Sequence, residues 1–207
     1  MSPGATMERV YVELKARVMR GDYSPGERLD PVQLARTLSA SATPVRDALH
    51  RLSGERLIDS WHQEGFRQPL MSEAELNDLY AWSASLLMLA LADQQDAPLV
   101  AGPPFGDTGP RDYPEEIASL FRAIGWLSAN RELRYAVASL VDRSHIVRTA
   151  ELHVDPHCRA DVAAIDDDLR FGRWSALRAK ITRFHRRRAL LAGRVAAELR
   201  PREPPLR

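Results

Sequence analysis

Apolar positions recur at spacings of three and four along most of the chain, the period that turns one face of an α-helix toward a core. Over residues 8–20 that face is Val10, Tyr11, Leu14 and Val18. Leu34, Ala35 and Leu38 give a short second stripe, and Val45, Ala48, Leu49 and Leu52 a third, in a helix predicted from 43 to about 55. Further on, the stripes are Leu76, Leu79, Tyr80, Ser83, Leu86 and Leu87, then Ile117, Leu120, Phe121, Ile124 and Leu127. Leu133, Val137, Leu140 and Val147 follow, and Leu177, Ile181, Phe184, Leu191, Val195 and Leu199 close the series. Strand signals are scarce. The best is 57–61 and 66–70 around His62-Gln63-Glu64-Gly65, a short hairpin with Gly65 at its tip.

Turn chemistry marks the breaks. Gly21-Asp22-Tyr23-Ser24-Pro25-Gly26 stops the first helix. Asp30-Pro31 opens the second, with Asp as N-cap and Pro at the first helical position. Ser39-Ala40-Ser41 is a tight break, and Ser41 is placed to cap the third helix. No proline falls within 70–97, 115–155 or 157–200, so long helices can run there. Residues 93–114, rich in proline and glycine, read as a loop, and 201–207 as a fraying tail.

The predicted fold is therefore mainly α. Residues 1–70 form a winged helix-turn-helix with a small β-hairpin wing, and 71–200 an all-helical bundle. In such a head the third helix shows short polar residues and a cation at its N-terminal end. Its free N–H groups there suit a phosphate. Ser41, Thr43 and Arg46 occupy that end; Arg36 is placed for a phosphate, and Gly65 for a wing tip in the minor groove. Arg51 reads either as solvated surface or as a further contact.

Composition changes the picture little. The 207 residues carry 29 Lys+Arg and 28 Asp+Glu, a formal charge of +1, which does not advertise a nucleic-acid binder. No window approaches 18 apolar residues and no basic start leads into an apolar run, so a cytoplasmic protein without a membrane span is expected. The single cysteine, Cys158, excludes an intramolecular disulfide. Within residues 1–70, ten bases meet nine acids; 71–157 holds six bases and thirteen acids, and 158–207 thirteen bases and six acids. Arg183, Arg186, Arg187 and Arg188 on the last helix read as a solvated face, or as an accessory contact to DNA or to a second subunit.

The run Gly21-Asp22-Tyr23-Ser24-Pro25-Gly26-Glu27-Arg28-Leu29, then Leu34-Ala35, then Ser41-Ala42-Thr43-Pro44-Val45-Arg46-Asp47-Ala48-Leu49 with Arg51-Leu52 and Leu57, resembles the GntR family of bacterial transcription regulators. Three departures stand out. The family usually has Arg at Ala42, Gly at Ser39, and Glu-Gly-Leu at Glu55-Arg56-Leu57. Without the arginine, one bidentate guanine contact is missing, worth roughly 1–3 kcal/mol of discrimination.

The later helices resemble the FadR-like subfamily and its FCD effector domain. The resemblance lies in 72–80, in Phe121 with Ser128-Ala129-Asn130-Arg131-Glu132-Leu133, and in Ile165, Leu169 and Gly172 followed by Trp174 to His185. It implies a homodimer on a double-stranded DNA operator, acting as a repressor, with a small organic acid as effector. The family's divalent-metal positions fall on Ala118, Arg122, Val162 and Phe184, so no cofactor or metal is expected. Arg122 would project into the bundle interior, where it needs an acidic partner or a carboxylate ligand. His185 lies one residue past the last metal position, turned about 100° toward the surface or helix edge. His145 reads as core edge. Arg122, His145 and His185 are the candidate effector contacts. Trp82, Trp126 and Trp174 read as core or dimer interface.

Two other functions compete. One is a DNA-binding regulator that no longer senses a ligand. The other is a small hydrolase built on Asp166-Asp167-Asp168 and the histidines. No G-x-S-x-G, H-E-x-x-H, P-loop or dinucleotide fingerprint is present, and three consecutive aspartates point to different faces of a helix, so no catalytic residue is assigned and no enzyme is expected.

Overall fold

The first helix is laid down by its apolar stripe and ended by glycine. In the computed structural model, which describes residues 3–61, 65–94 and 112–200, α1 (Pro3–Arg20) stops where Gly21 turns to φ +76°. A two-residue strand, β1 (Arg28–Leu29), precedes α2 (Pro31–Thr37). Asp30 caps α2 as expected, its carboxylate accepting from the Val32 and Gln33 amides at 2.8 and 3.1 Å. Then come α3 (Ala42–Gly54), β2 (Asp59–Trp61) and β3 (Gly65–Arg67).

The sheet order is β1-β3-β2, antiparallel throughout, with Leu29 opposite Phe66, Ser60 opposite Phe66 and Trp61 opposite Gly65. The hairpin was legible; β1 was not, because two residues carry no periodicity. One core joins these pieces: Val10, Tyr11, Leu14 and Val18 of α1 meet Leu34, Ala35 and Leu38, the α3 stripe, and Phe66. Residues 62–64 lie outside the described residues, as do 95–111 of the predicted loop and 201–207 of the predicted tail. Gly65, expected at the hairpin tip, is instead the first residue of β3, paired with Trp61.

The chain divides into two compact units, Met1–Met71 with Leu199–Arg207, and Ser72–Glu198. The second unit is all helix: α4 (Glu73–Ala90), α5 (Tyr113–Trp126), α6 (Arg131–Val154), α7 (Cys158–Arg170) and α8 (Trp174–Glu198). A capping box opens α4, with Ser72 and Glu75 each satisfying the other's backbone N–H. Asp112 and Asn130 cap α5 and α6. The predicted loop is shorter than expected at its far end, since Tyr113 and Pro114 already belong to α5 and Tyr113 is fully buried. The helical stripes face inward as predicted, although Leu127, Leu133, Leu191 and Leu199 are only half-buried. Trp174 is core, whereas Trp82 and Trp126 are exposed, because each sits on the polar side of its helix. Among the described residues no helix is long and apolar enough to cross a membrane.

Candidate functional site

The end of α3 is built by its neighbours. Val45, Ala48, Leu49 and Leu52 are buried, which leaves Thr43, Arg46, Asp47 and His50 on the exposed face at the same three-four spacing. α2 enters through a tight turn that α1 ties down: one nitrogen of Arg9 donates to the Leu38 carbonyl at 3.1 Å and to that of Ser39 at 3.4 Å. At the other end of α3, Arg51 is held by Glu8 at 3.0 Å and lies 3.5 Å from the Tyr11 ring centroid. Glu55 takes hydrogen bonds from Tyr11 at 2.7 Å and Lys15 at 2.8 Å. Arg51 is thus engaged in fastening α3 to α1.

Ser41, Thr43 and Arg46 stand together at the N-terminal end of α3, all exposed, and Arg36 is exposed in the last turn of α2. Neither Arg36 nor Arg46 has a carboxylate partner among the described residues. Ser41 differs from the expectation: it occupies the N-cap position with an extended backbone, but its hydroxyl makes no capping bond. The first amides of α3 are therefore not satisfied by that side chain. Gly65 opens β3 at φ +83°, a left-handed conformation that the start of the strand requires and that only glycine adopts without cost.

The family of bacterial regulatory proteins called gntR matches residues 6–67. The head of this chain is thus similar to that family. Relatives extend the likeness past residue 67. The Nta operon transcriptional regulator of Aminobacter aminovorans is 33% identical over 161 residues, 73% of this chain and 66% of that protein. The HTH-type transcriptional repressor GlaR of Escherichia coli (strain K12) is 35% identical over 98 residues, 44% of each. The chain thus spans less than two thirds of either relative. A putative transcriptional regulator GntR from Rhodococcus sp. RHA1 has the same fold, with a TM-score of 0.69 at 15% identity over 91% of this chain and 97% of that one. The Escherichia coli protein McbR/YncC superposes with a TM-score of 0.52 at 19% identity, over 90% and 96%.

In the helical unit Arg122 and His145 lie near one another around Asp142, while His185 is buried elsewhere. Arg122 is not in the bundle interior. It is exposed and paired with Asp142 at 2.6 Å, because the buried side of α5 is taken by Ile117, Leu120, Phe121 and Ile124. His145 is half-buried, and burial lowers its pKa. His185 is not at the surface; it is 4% exposed. The 100° step from Phe184 turns it toward α4 rather than outward, since both neighbours of that edge are helices. Its Nδ1 donates to the Ile181 carbonyl at 2.8 Å, so Nε2 accepts from the Ser83 hydroxyl at 2.8 Å. Burial pushes its pKa down to about 4.

The solvated face expected of the α8 arginines is also only half right. Arg183 and Arg186 are exposed, but Arg187 bridges to Asp155 at 2.8 Å, and Arg188 is 1% exposed. Arg188 lies 3.2 Å from the Phe184 ring centroid and donates to Glu151 at 3.3 Å and to the Tyr113 hydroxyl at 2.9 Å. Arg148, also buried, donates to both oxygens of Glu151, at 2.8 and 3.0 Å. Burial alone would raise the Glu151 pKa; the two guanidiniums reverse that and hold it below the usual carboxylate range. This Arg148–Glu151–Arg188 cluster was missed. The signal for it existed: position 188 continues the buried series 177, 181, 184, 192, 195, and 148 and 151 continue 137, 140, 144, 147.

The three consecutive aspartates are each spent on an ion pair, and Asp167 and Asp168 share one of their partners. Asp166 pairs with Arg170, Asp167 with Arg173, and Asp168 with both Arg173 and Lys180. Ala118, Val162 and Phe184 are buried apolar side chains with no lone pair for a metal, so the residues at the family's metal positions do not fit the ion.

Proposed function

We propose that this protein is a sequence-specific DNA-binding transcription regulator, a repressor, that works as a homodimer on a pseudo-palindromic operator. The observation that carries the reading is the α3 face: Thr43 and Arg46 exposed beside Ser41, with helix-end amides that the Ser41 side chain does not cap, and an exposed Arg36 that has no carboxylate partner among the described residues. A helix N-terminus with a cation and short polar groups reads phosphates and base edges together. Two symmetric half-sites need two heads. Dimerisation is assigned to the helical unit, where Trp82 and Leu89 stand exposed two turns apart on one face of α4. The helical unit is an FCD-type sensor of a small organic acid, and the absent donors at the metal positions support a metal-free one.

The test is a gel shift on DNA upstream of the gene, with wild type, Arg46→Ala and Arg183→Ala. Loss of a bidentate base contact costs about 1–3 kcal/mol, so Arg46→Ala is expected to bind roughly 5- to 150-fold more weakly, with Arg183→Ala unchanged. Equal binding by wild type and Arg46→Ala overturns the assignment.

A second reading, that the helical unit senses nothing, has one observation in its favour. In the interior, Glu151 already pairs with both buried arginines, so neither guanidinium charge there is left uncompensated for an incoming acid. A thermal-shift screen against organic acids separates the two readings.

A further inference from the structure

A groove of about 320 Å³ runs between the end of α5 and the start of α6, lined by Arg122, Trp126, Arg131, Arg134 and Tyr135. The two helices approach closely at its floor, where a Cβ on Gly125 would stand 3.0 Å from Val137. Two large rings face solvent beside it, Trp126 at 67% and Tyr135 at 54% exposure. Each has a guanidinium over it. Arg134 lies 4.9 Å from the Trp126 ring and Arg131 5.3 Å from the Tyr135 ring.

The charge is not balanced. Asp142 neutralises Arg122, but Arg131 and Arg134 have no carboxylate partner among the described residues, and no acid is among the side chains that line the groove. Arg131 Nε donates to the Tyr135 hydroxyl at 2.9 Å. That leaves the phenol proton and the remaining guanidinium N–H groups to donate outward. Flat apolar surface and two uncompensated forked donors on one wall suit a planar ring that ends in an anion.

We propose that this groove binds a small aromatic carboxylate, its ring against Trp126 and Tyr135 and its carboxylate on Arg131, Arg134 and the Tyr135 hydroxyl. The inference rests on the reading of the helical unit as an organic-acid sensor, and gives that acid a class and a place outside the filled interior. A second copy of the chain docked on the same patch by a two-fold axis would bring four uncompensated guanidiniums together, so charge favours the small anion.

The test titrates the full chain with benzoate, benzamide and acetate, without DNA, by calorimetry and tryptophan fluorescence. Benzoate is expected to bind once per chain, with benzamide and acetate at least tenfold weaker. Arg131→Gln combined with Arg134→Gln weakens benzoate at least tenfold while leaving the melting temperature and operator binding unchanged; Arg183→Gln has no effect. Absence of benzoate binding, equal binding of benzamide, or wild-type affinity in the double variant overturns the proposal. So does a changed oligomeric state of the double variant by light scattering, which would mark the groove as a subunit interface. Operator binding with no benzoate binding refutes the groove alone. Failure of the wild type to shift operator refutes the DNA reading whatever benzoate does.

Discussion

Ser39 and Arg56 have φ of +47° and +59°, and each follows a helix of the first unit. Both sit in the same terminating motif. After α2, the Ser39 and Ala40 amides return to the carbonyls of Arg36 and Ala35; after α3, those of Arg56 and Leu57 return to Ser53 and Leu52. Gly21 and Gly172 end α1 and α7 by the same pattern of bonds, so the chain contains the motif in both forms. A side chain at such a φ costs roughly 1–2 kcal/mol, partly offset because glycine loses more entropy on folding. Ser39→Gly and Arg56→Gly are therefore each expected to stabilise by about 0.5–1 kcal/mol, read from the urea midpoint at constant slope. These are the two positions where the GntR resemblance led one to expect glycine. The departure was legible in the sequence; that the backbone had kept the glycine conformation was not.

At the scale of elements, the helices could be read from periodicity and the polar core could not. Stripe counting sorts residues by hydrophobicity, so it leaves Arg148 and Glu151 without a place and puts His185 and Arg188 toward water, although all four fall on buried faces. Each is inside because fixed partners replace its hydration: Glu151 one turn away on α6 for Arg148, and groups on other helices for Glu151, His185 and Arg188. Glu151→Gln removes the one buried carboxylate between two guanidiniums, and the expected cost is about 3–5 kcal/mol by urea unfolding. His185 gives the same core a pH dependence. Its folded pKa of about 4 lies below the unfolded value near 6.5. Between these values the unfolded chain binds the extra proton, so stability is full above about pH 6.5 and falls as pH drops toward 4. The loss reaches at most about 3 kcal/mol. His185→Gln is expected to be less stable at pH 7 but to lose less on going to pH 4.5; parallel losses in both proteins would refute the assignment. The candidate DNA face was readable for the opposite reason. It is a local feature of one helix and its turn, fixed by spacing alone.

For the whole molecule, a head carrying ten bases and nine acids cannot hold DNA by bulk charge. On the proposed reading, affinity comes from placement and from having two heads. With Arg36, Arg46 and the α3 amides at each half-site, two or three phosphates are neutralised per head, and log K against log salt for the dimer is expected to fall with a slope of roughly −4 to −5. A slope steeper than about −8 would mean that other cations, such as the exposed Arg183 and Arg186, also reach the phosphates. The dimer itself is tested by placing charge on the exposed α4 face. Trp82→Glu with Leu89→Glu leaves the first unit's core untouched, because both side chains belong to the helical unit and make no part of that core. If that face joins the subunits, light scattering gives a monomer, the slope is halved, and operator affinity drops toward that of a single half-site. A variant that stays dimeric with the wild-type slope places the interface elsewhere. A monomer that keeps full operator affinity would mean that one head suffices and that the operator need not be symmetric.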